Sequence, residues 1–244
     1  MDSQQVSVDF ARAWDNHQGN IAQGVAERIL NYAEENKIKL SSVLDIDFGS
    51  SNLLGYLKDN GLKCFGTETR QGMYEYSKEK YPEITYYLTK SINEIPMRGK
   101  VDLVTCTHDI VNYLETFDEW VDFFKNVTKH LNGHGMFIFD FYTKDKLQNW
   151  NETTFTSSSW LDCLTNVSSG LYDKTVINYT YYINYQNYMI KTRDIMVESY
   201  YETDQIVAAL KKCGLKNVQL VDKNLNPLSS TNGVERIYVI ARRK

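Results

Sequence analysis

Val43-Leu44-Asp45-Ile46-Asp47-Phe48-Gly49-Ser50-Ser51-Asn52 is the stretch that decides the fold of this 244-residue chain. Val43 to Ile46 is a short apolar run of buried-strand length, Gly49 supplies a turn, and Asn52 to Asn60 reads as a helix closed by Gly61. A strand, a glycine-containing turn and a helix in that order aim backbone N–H groups at a helix start. A nucleotide-like ligand can come close there. Lys63 to Glu68 reads as a second strand, and Glu68 stands at its end, about 20 residues past the turn. At that spacing an acid accepts hydrogen bonds from both hydroxyls of a ribose.

The pattern continues on both sides. Upstream, residues 8–36 read as one helical stretch carrying Phe10, Trp14, Ile21, Val25, Ile29 and Leu30 at helical spacing. Downstream, Met73 to Lys80 is helical and stopped by Pro82, and Ile84 to Leu88 is a third strand. Val101 to Thr105 is a fourth strand and Glu119 to Leu131 a helix. Met136 to Asp140 is a fifth strand, after a turn at Asn132-Gly133-His134-Gly135. Alternation of strand and helix from 42 to 140 predicts βαβ units, with ligands collecting at the carboxyl ends of the strands.

Past residue 150 the character changes. Residues 155–200 lack helical period and are rich in Thr, Tyr, Val and Ile, with turns expected at Ser168-Ser169-Gly170 and Tyr185-Gln186-Asn187. A helix from Thr203 to Cys213, ended by Gly214, then leads to strands at Val218–Val221 and Arg236–Ala241. The expected architecture is α/β, a Rossmann-like, mostly parallel sheet sandwiched by helices, with an antiparallel β layer inserted in the C-terminal half. Residues 1–150 and 201–244 form the core in this reading, and residues 151–200 the insertion over a substrate pocket.

Composition narrows the function. At 42% hydrophobic and 24% charged, the chain is ordinary globular material. A net charge of -4 leaves no basic stripe for a nucleic-acid backbone. No apolar run reaches the roughly 20 residues of a membrane span, and the polar N-terminus lacks a secretory pattern. Cys64, Cys106, Cys163 and Cys213 are scattered, as reduced thiols of a cytoplasmic protein would be. No histidine pair has metal-ligand spacing, so no metal is expected.

The motif at Val43–Asn52 and the segment Phe65-Gly66-Thr67-Glu68-Thr69 with Met73 resemble the class I S-adenosylmethionine-dependent methyltransferases. So do Val101 to Cys106 leading through Asp109-Ile110-Val111-Asn112-Tyr113, and His130 to Asp140. The likeness is greatest to a small bacterial group with a C-terminal antiparallel insertion. The resemblance implies S-adenosylmethionine as cofactor and a small-molecule acceptor. It places Asp45, Asp47 and Gly49 at the methionine portion, Glu68 and Thr69 at the ribose, and Met73 on the adenine. Ser91 and Ile92 follow the third strand, Asp109 closes over the sulfonium, and Trp14 with Phe10 forms an aromatic lid.

One departure bears on all of this. The family turn runs D-x-G-x-G-x-G, and the corresponding residues here are Asp45, Asp47, Gly49 and Ser51. Asp47 would set a carboxylate against the cofactor's own, with no base evident nearby, and Ser91 stands where many relatives carry an acid. A second reading therefore stays open: a non-catalytic relative that keeps the scaffold for binding or interaction. His108 is a candidate general base and Tyr142 a candidate for orienting substrate, each competing with a purely structural role. The tyrosines at 179, 181, 182, 185 and 188 either wall an acceptor pocket or simply follow strand propensity.

Overall fold

The computed structural model describes residues 3–18, 20–171, 174–184 and 187–243. Two helices come first, α1 (Ser3–Gln18) and α2 (Ile21–Glu35). The single helical stretch expected over 8–36 is corrected: the chain breaks between Gln18 and Ile21, with Asn20 in a turn. Gly19 and Asn20 are both weak helix formers, and apolar spacing does not register such a break.

The core alternates as expected: β1 (Ser42–Ile46), α3 (Asn52–Asp59), β2 (Lys63–Glu68), α4 (Gln71–Lys80), β3 (Thr85–Leu88), β4 (Val101–Cys106), α5 (Phe117–His130) and β5 (Leu131–Tyr142). A short helix not foreseen in the sequence, α6 (Lys144–Asn149), leads into β6 (Glu152–Ser157), β7 (Leu161–Leu171), β8 (Lys174–Asn184) and β9 (Met189–Ser199). The chain ends in α7 (Thr203–Lys212), β10 (Asn217–Val221) and β11 (Arg236–Arg242).

Seven strands form one sheet in the order β10-β11-β5-β4-β1-β2-β3, and four form a separate antiparallel sheet, β6-β7-β8-β9. β1 pairs in parallel with both β2 and β4, so the chain steps out to β3 and then crosses back to the other side of β1. That reversal creates a crevice at the carboxyl ends of β1 and β4. β11 runs antiparallel to β5 and lies between it and β10.

β5 alternates faces with period two. Phe137, Phe139 and Phe141 meet Trp120 and Phe124 of α5, while Met136 and Ile138 join Ile29 of α2 and Leu54 and Leu57 of α3. Helices therefore cover both faces.

Two expected turns move. The one at Asn132-Gly133-His134-Gly135 is a bulge inside β5, because Val101 pairs with Leu131 and Leu103 already pairs with Met136. Ser168 and Ser169 pair with Val176 and Thr175 inside β7, so these two residues are strand and not turn. Serine and glycine are common in turns, but strand register decides whether they bend the chain. Of the turn expected at Tyr185-Gln186-Asn187, the first two residues lie outside the described residues.

The two sheets are joined by one buried amide. Asn112 Nδ2 donates to the carbonyls of Tyr142 (3.2 Å) and Ser199 (2.9 Å), and its Oδ1 accepts from the N–H of Tyr142 at 3.0 Å. The Ser199 hydroxyl donates in return to the carbonyls of Asn112 and Leu114. This clip fixes the end of β9 against the end of β5.

Candidate active site

The turn after β1 keeps the backbone of a three-glycine loop with one glycine. Asp47, Gly49 and Ser51 have φ of 56°, 58° and 62°, all left-handed. That region costs a residue other than glycine on the order of 1 kcal/mol, and asparagine and aspartate least. Side chains offset this. Asp47 Oδ1 accepts from the N–H and hydroxyl of Thr69 at 3.3 and 3.0 Å, and the Ser51 and Tyr86 hydroxyls meet at 2.7 Å. A Cβ placed on Gly49 would meet nothing within 4 Å, so the middle of the turn faces open space.

Two acids frame the turn. Asp45 is buried and accepts from Thr105 Oγ1 at 2.6 Å. Burial pushes its carboxyl up to about 7, against the pull of that hydrogen bond and with Asp47 adding to the rise. Glu68 is fully buried, and it accepts from the N–H of Gly49 at 2.9 Å and from those of Thr69 and Arg70, each at 2.9 Å. Burial, reinforced by Asp47, pushes it up to about 8. The expectation that Asp47 has no basic neighbour is corrected. Arg70 reaches Glu68 at 3.5 Å and lies within charge range of Asp47.

At the end of β4, His108 and Asp109 are consecutive left-handed residues, with φ of 68° and 54°. The fully buried Asp140 of β5 holds them there, accepting from their N–H groups at 2.7 and 3.1 Å. Arg236, opening β11, donates to Asp140 at 2.8 Å and to Asp109. Its guanidinium also covers the Tyr142 ring at 4.1 Å, and Trp150 packs on Tyr142 at 5.1 Å. Burial holds the Asp109 carboxyl up at about 7, with Arg236 drawing it down. Loss of surrounding water lowers the His108 imidazole, and Arg236 acts in the same direction against Asp140.

These elements enclose a cavity of about 500 Å³ between the ends of β1, β2 and β4 and the second sheet. Of the residues singled out in the sequence it brings together Trp14, Asp45, Asp47, Gly49, Thr69, His108, Asp109 and Tyr142. Tyr179, Tyr181 and Met196 line it from the second sheet.

Glu68, Met73, Ser91 and Ile92 lie outside that lining. Glu68 sits behind the turn it caps. Met73 is buried at a neighbouring cavity of about 420 Å³ that shares Phe10, Arg70 and Tyr181. The Ser91 hydroxyl accepts from the N–H of Asn93 at 3.2 Å, and Ile92 belongs to the core. Arg70, Tyr113, Asp140 and Arg236 were missed as site residues. Strand-end position signalled the first and third, but nothing local marks Arg236, which reaches the site only through the sheet order.

α1 roofs the cavity. Phe10 and Trp14 pack on Tyr181 at 4.8 and 6.1 Å. Asp15 accepts from Asn52, Tyr76 and Lys80, each at 2.5 Å, which latches α1 to α3 and α4.

The methyltransferase domain family matches residues 44–139. YqeM of Bacillus subtilis (strain 168), a protein named as a candidate methyltransferase, is 25% identical over 108 residues, which are 43% of this chain and 44% of that protein. The matched stretch thus spans under half of the curated relative.

Solved structures align over almost the whole chain. An S-adenosylmethionine-dependent methyltransferase from Clostridium acetobutylicum ATCC 824 superposes with a TM-score of 0.81 at 19% identity, over 93% of this chain and 96% of that one. The sugar N-methyltransferase KedS8 of Streptoalloteichus sp ATCC 53650 gives 0.77 at 15% identity, over 94% and 91%. CalS10 of Micromonospora echinaspora, an amino pentose methyltransferase solved with S-adenosylmethionine bound, gives 0.75 at 13%, over 93% of each chain. The fold is therefore that of the class I S-adenosylmethionine-dependent methyltransferases, and the central segment of the chain, residues 44–139, matches the methyltransferase domain family.

Proposed function

We propose that the protein binds S-adenosylmethionine in the 500 Å³ cavity and methylates a small-molecule acceptor entering from the side of the second sheet. The observation that carries this reading is the turn after β1: three alternate left-handed positions persist although two are not glycine. A turn held in that shape by Thr69 and Tyr86 is suited to a ligand approaching the backbone closely. It also weighs against the rival reading of a binding-only relative, which rested on Asp47, Ser51 and Ser91. The Asp47 carboxylate is held by Thr69 and has Arg70 within charge range.

In this reading Asp45 and the Gly49 backbone hold the amino-acid end of the cofactor, and Glu68 serves the ribose. Three backbone N–H groups and Arg70 Nε already occupy the four acceptor sites of the Glu68 carboxylate, so a ribose hydroxyl takes the place of the longest of these, the Arg70 contact at 3.5 Å. Bound there, the cofactor supplies an electrophilic methyl group on a sulfonium. The protein's part is positioning. Asp140 fixes the His108-Asp109 turn, Phe10 and Trp14 exclude water from above, and Tyr142, pinned between Trp150 and Arg236, gives the acceptor a rigid wall. Loss of water holds His108 toward its neutral form, in which its ring can accept a hydrogen bond from the acceptor. Residues 151–200 act as the acceptor wall through Tyr179, Tyr181 and Met196. Neighbours named for sugars and an amino pentose support an acceptor of small-molecule size.

Calorimetric titration with S-adenosylmethionine and S-adenosylhomocysteine tests the reading. Saturable heat and a raised melting temperature are expected. Neither effect at millimolar ligand would overturn it.

A further inference from the structure

Glu198, near the end of β9, is fully buried, and no donor group of the described residues reaches its carboxyl oxygens; its side-chain hydrogen-bond neighbour is another acid, Asp109. Buried polar groups are nearly always paired, so two carboxyls meeting beside a cavity call for an explanation. Among charged groups Asp109 acts on it most strongly, followed by Arg236, and Asp140 is also within range. Tyr113, Tyr142 and Tyr179 each sense its charge. Asp109, Arg236 and these three tyrosines all line the cavity, which places Glu198 immediately behind its wall.

The charges there do not balance. Asp109, Asp140 and Glu198 share one guanidinium, and that guanidinium is already committed to Asp109, Asp140 and the Tyr142 ring. His108, the other basic group at this end, is held toward its neutral form by loss of water. Protons make up the deficit: burial first, and Asp109 next, push Glu198 up to about 9, so it is neutral at physiological pH. A second positive charge in the cavity would let it ionise.

We infer that the Asp109–Asp140–Glu198 cluster is the subsite for a protonated amine on the acceptor, with Glu198 releasing its proton when the amine docks. This rests on the cavity being the acceptor site proposed above. Docking converts the Glu198 acid and R–NH3+ into a carboxylate–ammonium pair, with one proton leaving to solvent. A later transfer from nitrogen to that carboxylate restores the neutral acid and leaves the nitrogen lone pair free to accept a methyl group.

The test needs no knowledge of the natural acceptor. The full chain is titrated at pH 7.5 with cyclohexylammonium and, in parallel, with cyclohexanol, in two buffers of different ionisation enthalpy. The amine should bind and release about one proton per site, and the alcohol should give no saturable heat. Glu198→Gln, checked for an unchanged fold by circular dichroism, should bind the amine at least tenfold more weakly and release no proton. Amine binding without proton release, equal release from Glu198→Gln, equal binding of the alcohol, or no binding of the amine would each overturn the inference. S-adenosylhomocysteine titrated separately into the wild type keeps the two readings apart. Its failure to bind would strike the cofactor assignment and leave the proton-release result intact.

Discussion

Gly72 is where α1 comes closest to α4, and Gly72→Ala measures what that approach is worth. A Cβ there would lie 2.5 Å from the carbonyl carbon of Ser7 and nearer still to its oxygen, whereas ordinary contact begins at 3.4 Å. One backbone must therefore retreat by about 0.9 Å. Overpacking of this kind costs about 1–3 kcal/mol, and the better helix propensity of alanine returns at most about 1 kcal/mol, less in a first helical turn. A net loss of about 1–2 kcal/mol lowers the melting temperature by about 2–8 °C for a chain of this size. The second effect is on function. Lifting α1 separates Phe10 and Trp14 from Tyr181 and strains the Asp15 latch, so S-adenosylhomocysteine should bind more weakly in the same variant. Differential scanning calorimetry and titration calorimetry read the two effects. An unchanged melting temperature refutes the reasoning. So does full rescue by Ser7→Ala in the Gly72→Ala background, because the Ser7 backbone stays in the way after its hydroxyl, the nearest atom, is removed.

Asp47→Asn keeps an acceptor for Thr69 and tolerance of left-handed φ while removing a charge. It should tighten S-adenosylhomocysteine binding roughly tenfold, about 1.4 kcal/mol out of an unscreened repulsion of about 4 kcal/mol; weaker binding would show that the carboxylate helps. Asp45 titrates near 7, and a ligand ammonium needs its ionised form, so affinity should fall up to about tenfold per pH unit below 7 and level off above. Asp45→Asn should remove that slope, and a slope that survives assigns it elsewhere. Asn112→Ala leaves the buried Tyr142 N–H and Ser199 carbonyl unpaired, at about 1–3 kcal/mol each, and should lower the midpoint of urea unfolding accordingly. Asp109, Glu68 and Glu198 are raised to about 7, 8 and 9, so the folded state holds extra protons above the ordinary carboxylate range. Stability should therefore fall as pH rises from about 5 to 9, by up to about 1.4 kcal/mol per unit for each group. Glu198→Gln should flatten the upper end of that curve, and a melting temperature that is level across this range would refute the charge picture.

The core was legible because its signals are local. Val43–Ile46 followed by Gly49, and the apolar alternation through Met136–Asp140, declare a buried strand, a turn and a further strand within ten residues each. The antiparallel layer was also legible, since β-branched and aromatic residues crowd 155–200. Exact turn positions were not: Ser168 and Ser169 look like a bend in one dimension and pair as strand in three. The site divides in the same way. Asp45, Asp47, Gly49, Thr69, His108 and Asp109 all sit at strand ends, and topology carries every strand end to one edge. Arg236, Glu198 and Asn112 owe their places to pairings across about 90 residues or more, which no local pattern encodes. Ser91 and Ile92, implied by the resemblance alone, lie outside the cavity lining: Ser91 accepts from the N–H of Asn93 and Ile92 packs in the core.

Arg236 also sets the order in which the molecule can be completed. Asp109 and Asp140 are made about a hundred residues before the cation that neutralises them, and that cation arrives on the strand that wedges between β5 and β10. Until β11 docks, burying those two acids means desolvating them uncompensated, so the crevice stays open and wet. Sheet closure and the shaping of the His108-Asp109 bend are thus a single late event, and a nascent chain that has not reached residue 236 has no finished cavity to offer a ligand.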